Sequence, residues 1–181
     1  MDEESLGRAL KRDPKLASLQ TALHRLGSKV QPVDSDLLEP IGVFRQEGVT
    51  TFDPAAFFGE GNTKVKFSYI DDDLTKLPTE TNIPAVDLRA SRFRHDTHFE
   101  PVLLELGDQK DVKVALAHVA AMLTAQGQGQ PGRLLNDGKA TLIPLGNYRY
   151  LYACWDDGWY LGASPIADPR SWRQGRQVVS C

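Results

Sequence analysis

The chain has 181 residues, a formal net charge of −3, 41% hydrophobic and 25% charged residues, and two cysteines. This balance suits one globular unit with an ordinary core and gives no electrostatic reason to expect a nucleic-acid or membrane-surface binder. No apolar run nears the roughly 20 residues needed to span a bilayer. The acidic start MDEESLGRALKRDPK lacks the apolar core of a secretion signal and the two cysteines offer no disulfide framework, so a reducing cytoplasm is the expected compartment, for a protein of bacterial or phage type.

Residues 1–30 read as a helical segment. Asp13-Pro14 offers an N-cap followed by proline at the first helical position, and Leu16, Leu19, Leu23 and Leu26 recur at helical spacing up to Gly27. Residues 31–181 read as an α+β domain joined to it in one globular unit. A polar connector leads to IGVF and VTTF, two candidate strands around Glu47-Gly48, and then to DPAAFF, a helical turn capped by Asp53. In residues 64–70 Val65, Phe67 and Tyr69 alternate with Lys64, Lys66 and Ser68, the pattern of a half-exposed strand. Asp71, Asp72 and Asp73 close it, and residues 74–84 follow as a loop.

Residues 85–93 and 99–106 are expected to form two more strands, and 112–125 one long helix capped by Asp111. Leu116, Val119 and Leu123 mark its core face. QGQGQPG, at 126–132, reads as a flexible loop. Residues 139–164 carry the clearest signal, a three-stranded antiparallel meander turning at Gly146-Asn147 and Asp157-Gly158. Its middle strand alternates Tyr148, Tyr150, Tyr152 and Cys154 with Arg149, Leu151, Ala153 and Trp155, so it is apolar on both faces. The tail from 165 holds Trp172 and three arginines with little periodicity. The expected fold is an antiparallel sheet of five to seven strands that includes this meander, with the long helix and the N-terminal helices packed on it.

Chemical signatures are sparse. Arg92, Arg94, His95 and His98 form the densest polar cluster and could hold a phosphate or nucleotide substrate. His-x-x-His lacks the one-turn spacing of a zinc-binding helix, so no metal site and no cofactor are expected. The single His-x-Thr element at His95 has no second copy to complete a histidine pair for phosphoester hydrolysis. Gly-x-Ser-x-Gly and phosphate-binding glycine loops are absent.

Aromatic and arginine side chains concentrate in the C-terminal third, the types that carry binding energy at protein interfaces. The leading expectation is a non-enzymatic protein-binding module: an inhibitor, an immunity-type partner or an adaptor. Its contact residues would be Trp159, Trp172 and Arg173, with Asp156 and Asp157 reading a basic partner surface. The alternatives are a small enzyme using Arg92, Arg94, His95 and His98, or a structural subunit of a phage or secretion assembly using the N-terminal leucine face.

Overall fold

A computed structural model describes residues 37–107, 109–146 and 149–181. The N-terminal helices expected in 1–30, and Asn147 and Tyr148 at the first meander turn, lie outside the described residues. The described chain is mixed α+β. Its strands are β1 (Leu38–Gln46), β2 (Val49–Phe52), β3 (Phe67–Ile70), β4 (Glu80–Ile83), β5 (Val86–Phe93), β6 (Thr141–Gly146), β7 (Arg149–Trp155), β8 (Trp159–Pro165) and β9 (Gln177–Ser180). Its helices are α1 (Pro54–Phe58), α2 (Asp72–Thr75), α3 (Phe99–Leu106), α4 (Gln109–Val112) and α5 (Leu116–Ala125).

Seven strands form one sheet in the order β1-β5-β9-β6-β7-β8-β3, and β2 pairs with β4 in a separate ribbon. The β6/β9 and β3/β8 pairs are parallel, and the others antiparallel. The expected meander is β6-β7-β8, with Gly146 opposite Arg149 and Trp155 opposite Trp159. At the second turn Asp157 takes φ +50° and Gly158 φ +154°, the positive values such a tight reversal demands.

Period-two alternation gives the sheet two apolar faces. Leu88, Ile143, Leu151, Val179, Trp159 and Leu161 cluster with Leu116, Val119 and Leu123 of α5, so the expected helix stripe does bury against the sheet. On the opposite face Phe93, Leu142, Tyr150 and Val178 meet Phe99, Val102 and Leu103 of α3, together with Trp172.

Several expectations need correction. Residues 99–106 are a helix, because Phe99, Val102, Leu103 and Leu106 fall on one helical face and Pro101 sits in the first turn, where its missing N–H is harmless. The long helix is shorter and Asp111 does not cap it. The chain breaks at 113–115, where Val114 N donates to Pro144 O at 2.8 Å, and α5 begins after Ala115. Its cap comes from elsewhere: Glu80 Oε1 and Oε2 accept from the backbone N–H groups of Leu116 and Ala117 at 3.0 and 2.8 Å.

The 74–84 loop contains part of α2 and the strand β4. The strands flanking Glu47-Gly48 exist but do not pair with each other; β1 joins β5 and β2 joins β4. DPAAFF is helical as expected, with Asp53 Oδ1 accepting from Ala55 N and Ala56 N at 2.9 and 3.3 Å.

The tail supplies β9, inserted between β5 and β6 near the sheet centre. The 126–132 loop is held by a buried side chain. Gln126 is 1% exposed, its Nε2 donates to the carbonyls of Gln130 and Leu134 at 3.0 Å each, and its Oε1 accepts from Leu134 N at 2.8 Å.

Candidate functional site

The feature of most chemical interest is a row of tyrosines on the α3 face of the sheet. Strand alternation places Tyr150 and Tyr152 of β7 on that face, and antiparallel pairing sets Cys154 opposite Tyr160 of β8. Tyr69 joins the row because the β3/β8 register slips between Phe67 and Tyr69. The extra residue, Ser68, turns Tyr69 away from the face that Phe67 uses. Phe67 therefore packs with Phe57 and Phe58 at 6.2 and 6.1 Å, while Tyr69 stacks on Tyr160 with ring centroids 4.5 Å apart. This corrects the expectation that Val65, Phe67 and Tyr69 share one face.

The row continues inward. Tyr160 and Tyr152 lie 6.1 Å apart at 22° between planes, and Tyr152 and Tyr150 6.4 Å apart. Gly162, directly opposite Tyr152, makes this possible: a Cβ there would sit 2.1 Å from Tyr152 Cζ, so the ring lies flat across bare backbone. Exposure rises along the row, from a fully buried Tyr150 through half-buried Tyr152 and Tyr160 to Tyr69, which is 45% exposed. Among the described residues no strand pairs with the outer edge of β3.

The tail walls the inner end. Trp172 and Thr97 exchange backbone hydrogen bonds of 2.7 and 2.9 Å, which fixes the tail against the start of α3. The Trp172 indole then packs on Tyr152 at 5.4 Å and on Tyr150 at 6.0 Å. Arg170 lies over both Tyr152 and Trp172, at 5.1 and 5.5 Å, and Arg176 over Trp172 at 5.4 Å.

The hydrogen bond to the Tyr152 hydroxyl is the main cause holding Arg170 still more firmly in its charged form. Desolvation, followed by the proximity of Tyr152, pushes the Tyr160 hydroxyl above the usual phenol range, so at neutral pH it stays a neutral donor and acceptor. Cys154 is not poised as a nucleophile, because burial and then the neighbouring Asp156 push its thiol up.

The residues expected to make contacts fall in different places. Trp159 is fully buried on the α5 face and its indole N–H donates to Gln126 O at 2.9 Å, so it belongs to the core and not to an accessible surface. Trp172 is only 4% exposed and serves as support beneath the arginines. Arg173 is exposed beside it. Asp156 and Asp157 are exposed at the β7–β8 turn, where Asp157 pairs with Lys66 at 2.6 Å.

Arg92, His95 and His98 are exposed, and His98 Nδ1 lies 3.3 Å from the Arg170 carbonyl. Arg94 falls beyond the end of β5, so it does not continue the Arg92 face as a strand residue. Among the described residues no three His, Cys, Asp or Glu side chains group closely enough to hold a metal ion, and no helix is long and apolar enough to cross a membrane.

Sequence reasoning counted Tyr160 and Arg170 only among the aromatics and arginines of the C-terminal third, did not select them as contact residues, and left Tyr69 out altogether. Gly162, a glycine inside a strand pattern, was the available signal that a ring crosses the backbone there. No protein-family model, curated protein or solved structure matches this chain.

Proposed function

We propose that the protein is a non-enzymatic binding module, an inhibitor, immunity-type partner or adaptor, that engages another protein through Tyr69, Tyr160, Tyr152 and Arg170. One observation carries this reading: an exposed tyrosine stacked at 4.5 Å on its neighbour at an open sheet edge, with an arginine stacked farther along the same row. Such rings are already held in place, so a partner covers large apolar area with little further loss of side-chain entropy. Arg170, Arg173 and Arg176 make the tail rim basic, with Asp168 3.9 Å from Arg170 as a local counter-charge. The partner surface that fits presents carboxylates around an apolar centre.

The reading that assigns chemistry to Arg92, Arg94, His95 and His98 draws less support, since its histidines are exposed and its arginines straddle the end of β5. The assembly-subunit reading rests on leucines outside the described residues.

The test is alanine substitution at Tyr69 and Tyr160. Each is expected to weaken partner binding by about 2 kcal/mol or more while leaving the melting temperature within a few degrees. Unchanged affinity in both variants would remove this surface from the account.

A further inference from the structure

A second region of the molecule holds a polar group that the fold leaves unanswered. His118 lies in the first turn of α5 and is 3% exposed. Neither ring nitrogen has a hydrogen-bond partner of good geometry among the described residues. The Pro84 and Glu47 carbonyls are near enough to favour the charged ring, but desolvation outweighs them and holds the group below the usual histidine range. At neutral pH the ring is therefore uncharged, with one donor and one acceptor to satisfy.

His118 lines a groove of about 370 Å³ where the β4 ribbon meets the start of α5. Ile83, Val86, Val114 and Leu145 supply apolar walls, and exposed Lys113 and half-buried Glu80 line it as well. The one side-chain carboxylate and the one thiol that line the groove are both engaged. Both Glu80 oxygens accept N–H groups from α5, which offsets the charge of that carboxylate against the positive end of the helix. The Cys181 thiol donates to the Lys113 carbonyl at 2.7 Å. The Lys113 ammonium is exposed and makes no ion pair among the described residues.

We propose that this groove binds a small amphipathic carboxylic acid, with its apolar body against Ile83, Val86 and Leu145 and its carboxylate between Lys113 and the His118 N–H. Concave apolar walls with a few convergent polar groups are the usual make-up of a small-molecule site. An ammonium and an imidazole N–H are both donors, so the head they select is an acceptor with negative charge. The site lies apart from the tyrosine row and does not depend on the binding role proposed for it.

The experiment is a titration of the full chain with hexanoate, and separately with hexan-1-ol as the neutral counterpart, followed by amide and imidazole NMR shifts. Hexanoate is expected to saturate shifts at His118, Val114 and Leu145, and to bind about tenfold more tightly than the alcohol. Lys113→Met, an exposed position that leaves the core intact, is expected to remove that preference without altering alcohol binding. His118→Leu is expected to weaken hexanoate as well; should that variant fail to fold, Lys113→Met decides alone. No saturable shift with hexanoate, equal affinity for the two compounds, or an unchanged preference in Lys113→Met would each overturn the proposal.

Discussion

Gly162→Ala puts the architecture of the tyrosine row under direct strain. The new methyl would sit 2.1 Å from Tyr152 Cζ and 2.2 Å from its hydroxyl, against an ordinary contact of at least 3.4 Å. The ring must therefore lift by more than an ångström, leaving its 6.1 Å stack on Tyr160 and its 5.1 Å seat under Arg170. Overfilling a packed position costs about 1–3 kcal/mol. Replacing glycine restores about 0.4–1 kcal/mol by restricting the unfolded chain. The net expectation is a loss of about 1–2 kcal/mol, and at about 2–4 °C per kcal/mol this lowers the melting temperature measurably. Urea unfolding of wild type, Gly162→Ala, Tyr152→Ala and the double variant gives the coupling. In the Tyr152→Ala background the ring is gone, so Gly162→Ala should become neutral or stabilising. An equal penalty in both backgrounds would refute the claim that the glycine exists to seat this ring.

Other consequences follow from buried polar groups. Gln126→Leu keeps the volume roughly but strands the backbone N–H and C=O of Leu134, so urea unfolding should show a loss of about 2–4 kcal/mol; a loss below half that would mean water takes over those bonds. His118 is held neutral by folding, so the unfolded chain binds more protons once the pH falls below its ordinary value of 6.5. Stability should then decline with falling pH by up to about 1.4 kcal/mol per pH unit, and be flat with respect to this group above that range. His118→Leu should reduce the stability difference between neutral pH and about pH 5.5, and an unchanged difference would assign the acid sensitivity to other groups.

The parts of the fold that were legible in the sequence are those specified locally. The β6-β7-β8 meander could be read because period-two alternation and hairpin residues lie within one short stretch. β9 could not be read: QVVS is a central strand buried on both faces, so it shows no alternation, and its polar ends are satisfied at a distance, as where Gln177 Nε2 donates to Arg133 O at 2.7 Å. The start of α5 was misplaced because its cap, Glu80, comes from another strand. Residues 99–106 form a short apolar run in which helix and strand periods compete, and the spacing of Phe99, Val102, Leu103 and Leu106 was the better guide.

The proposed binding surface was legible in type but not in membership. A tyrosine face on β7 follows from alternation, yet a register slip decides that Tyr69 joins it, while pairing with Trp155 puts Trp159 on the opposite, α5 face. Arg170 comes from an aperiodic tail whose path is set by the Trp172–Thr97 bridge, a contact that no local pattern announces.

The central claim, that the exposed end of the tyrosine row is where another protein binds, is tested most directly by site-specific photocrosslinking in cells. A photoreactive phenylalanine replaces Tyr69 in one strain and Leu104 in another; Leu104 is 79% exposed on α3, outside the row. The account expects one discrete crosslinked protein with an acidic surface at the Tyr69 position, lost when Tyr160→Ala is added, and none at the Leu104 position. A partner that crosslinks at Leu104 and not at Tyr69, or a Tyr69 crosslink indifferent to Tyr160→Ala, would contradict it.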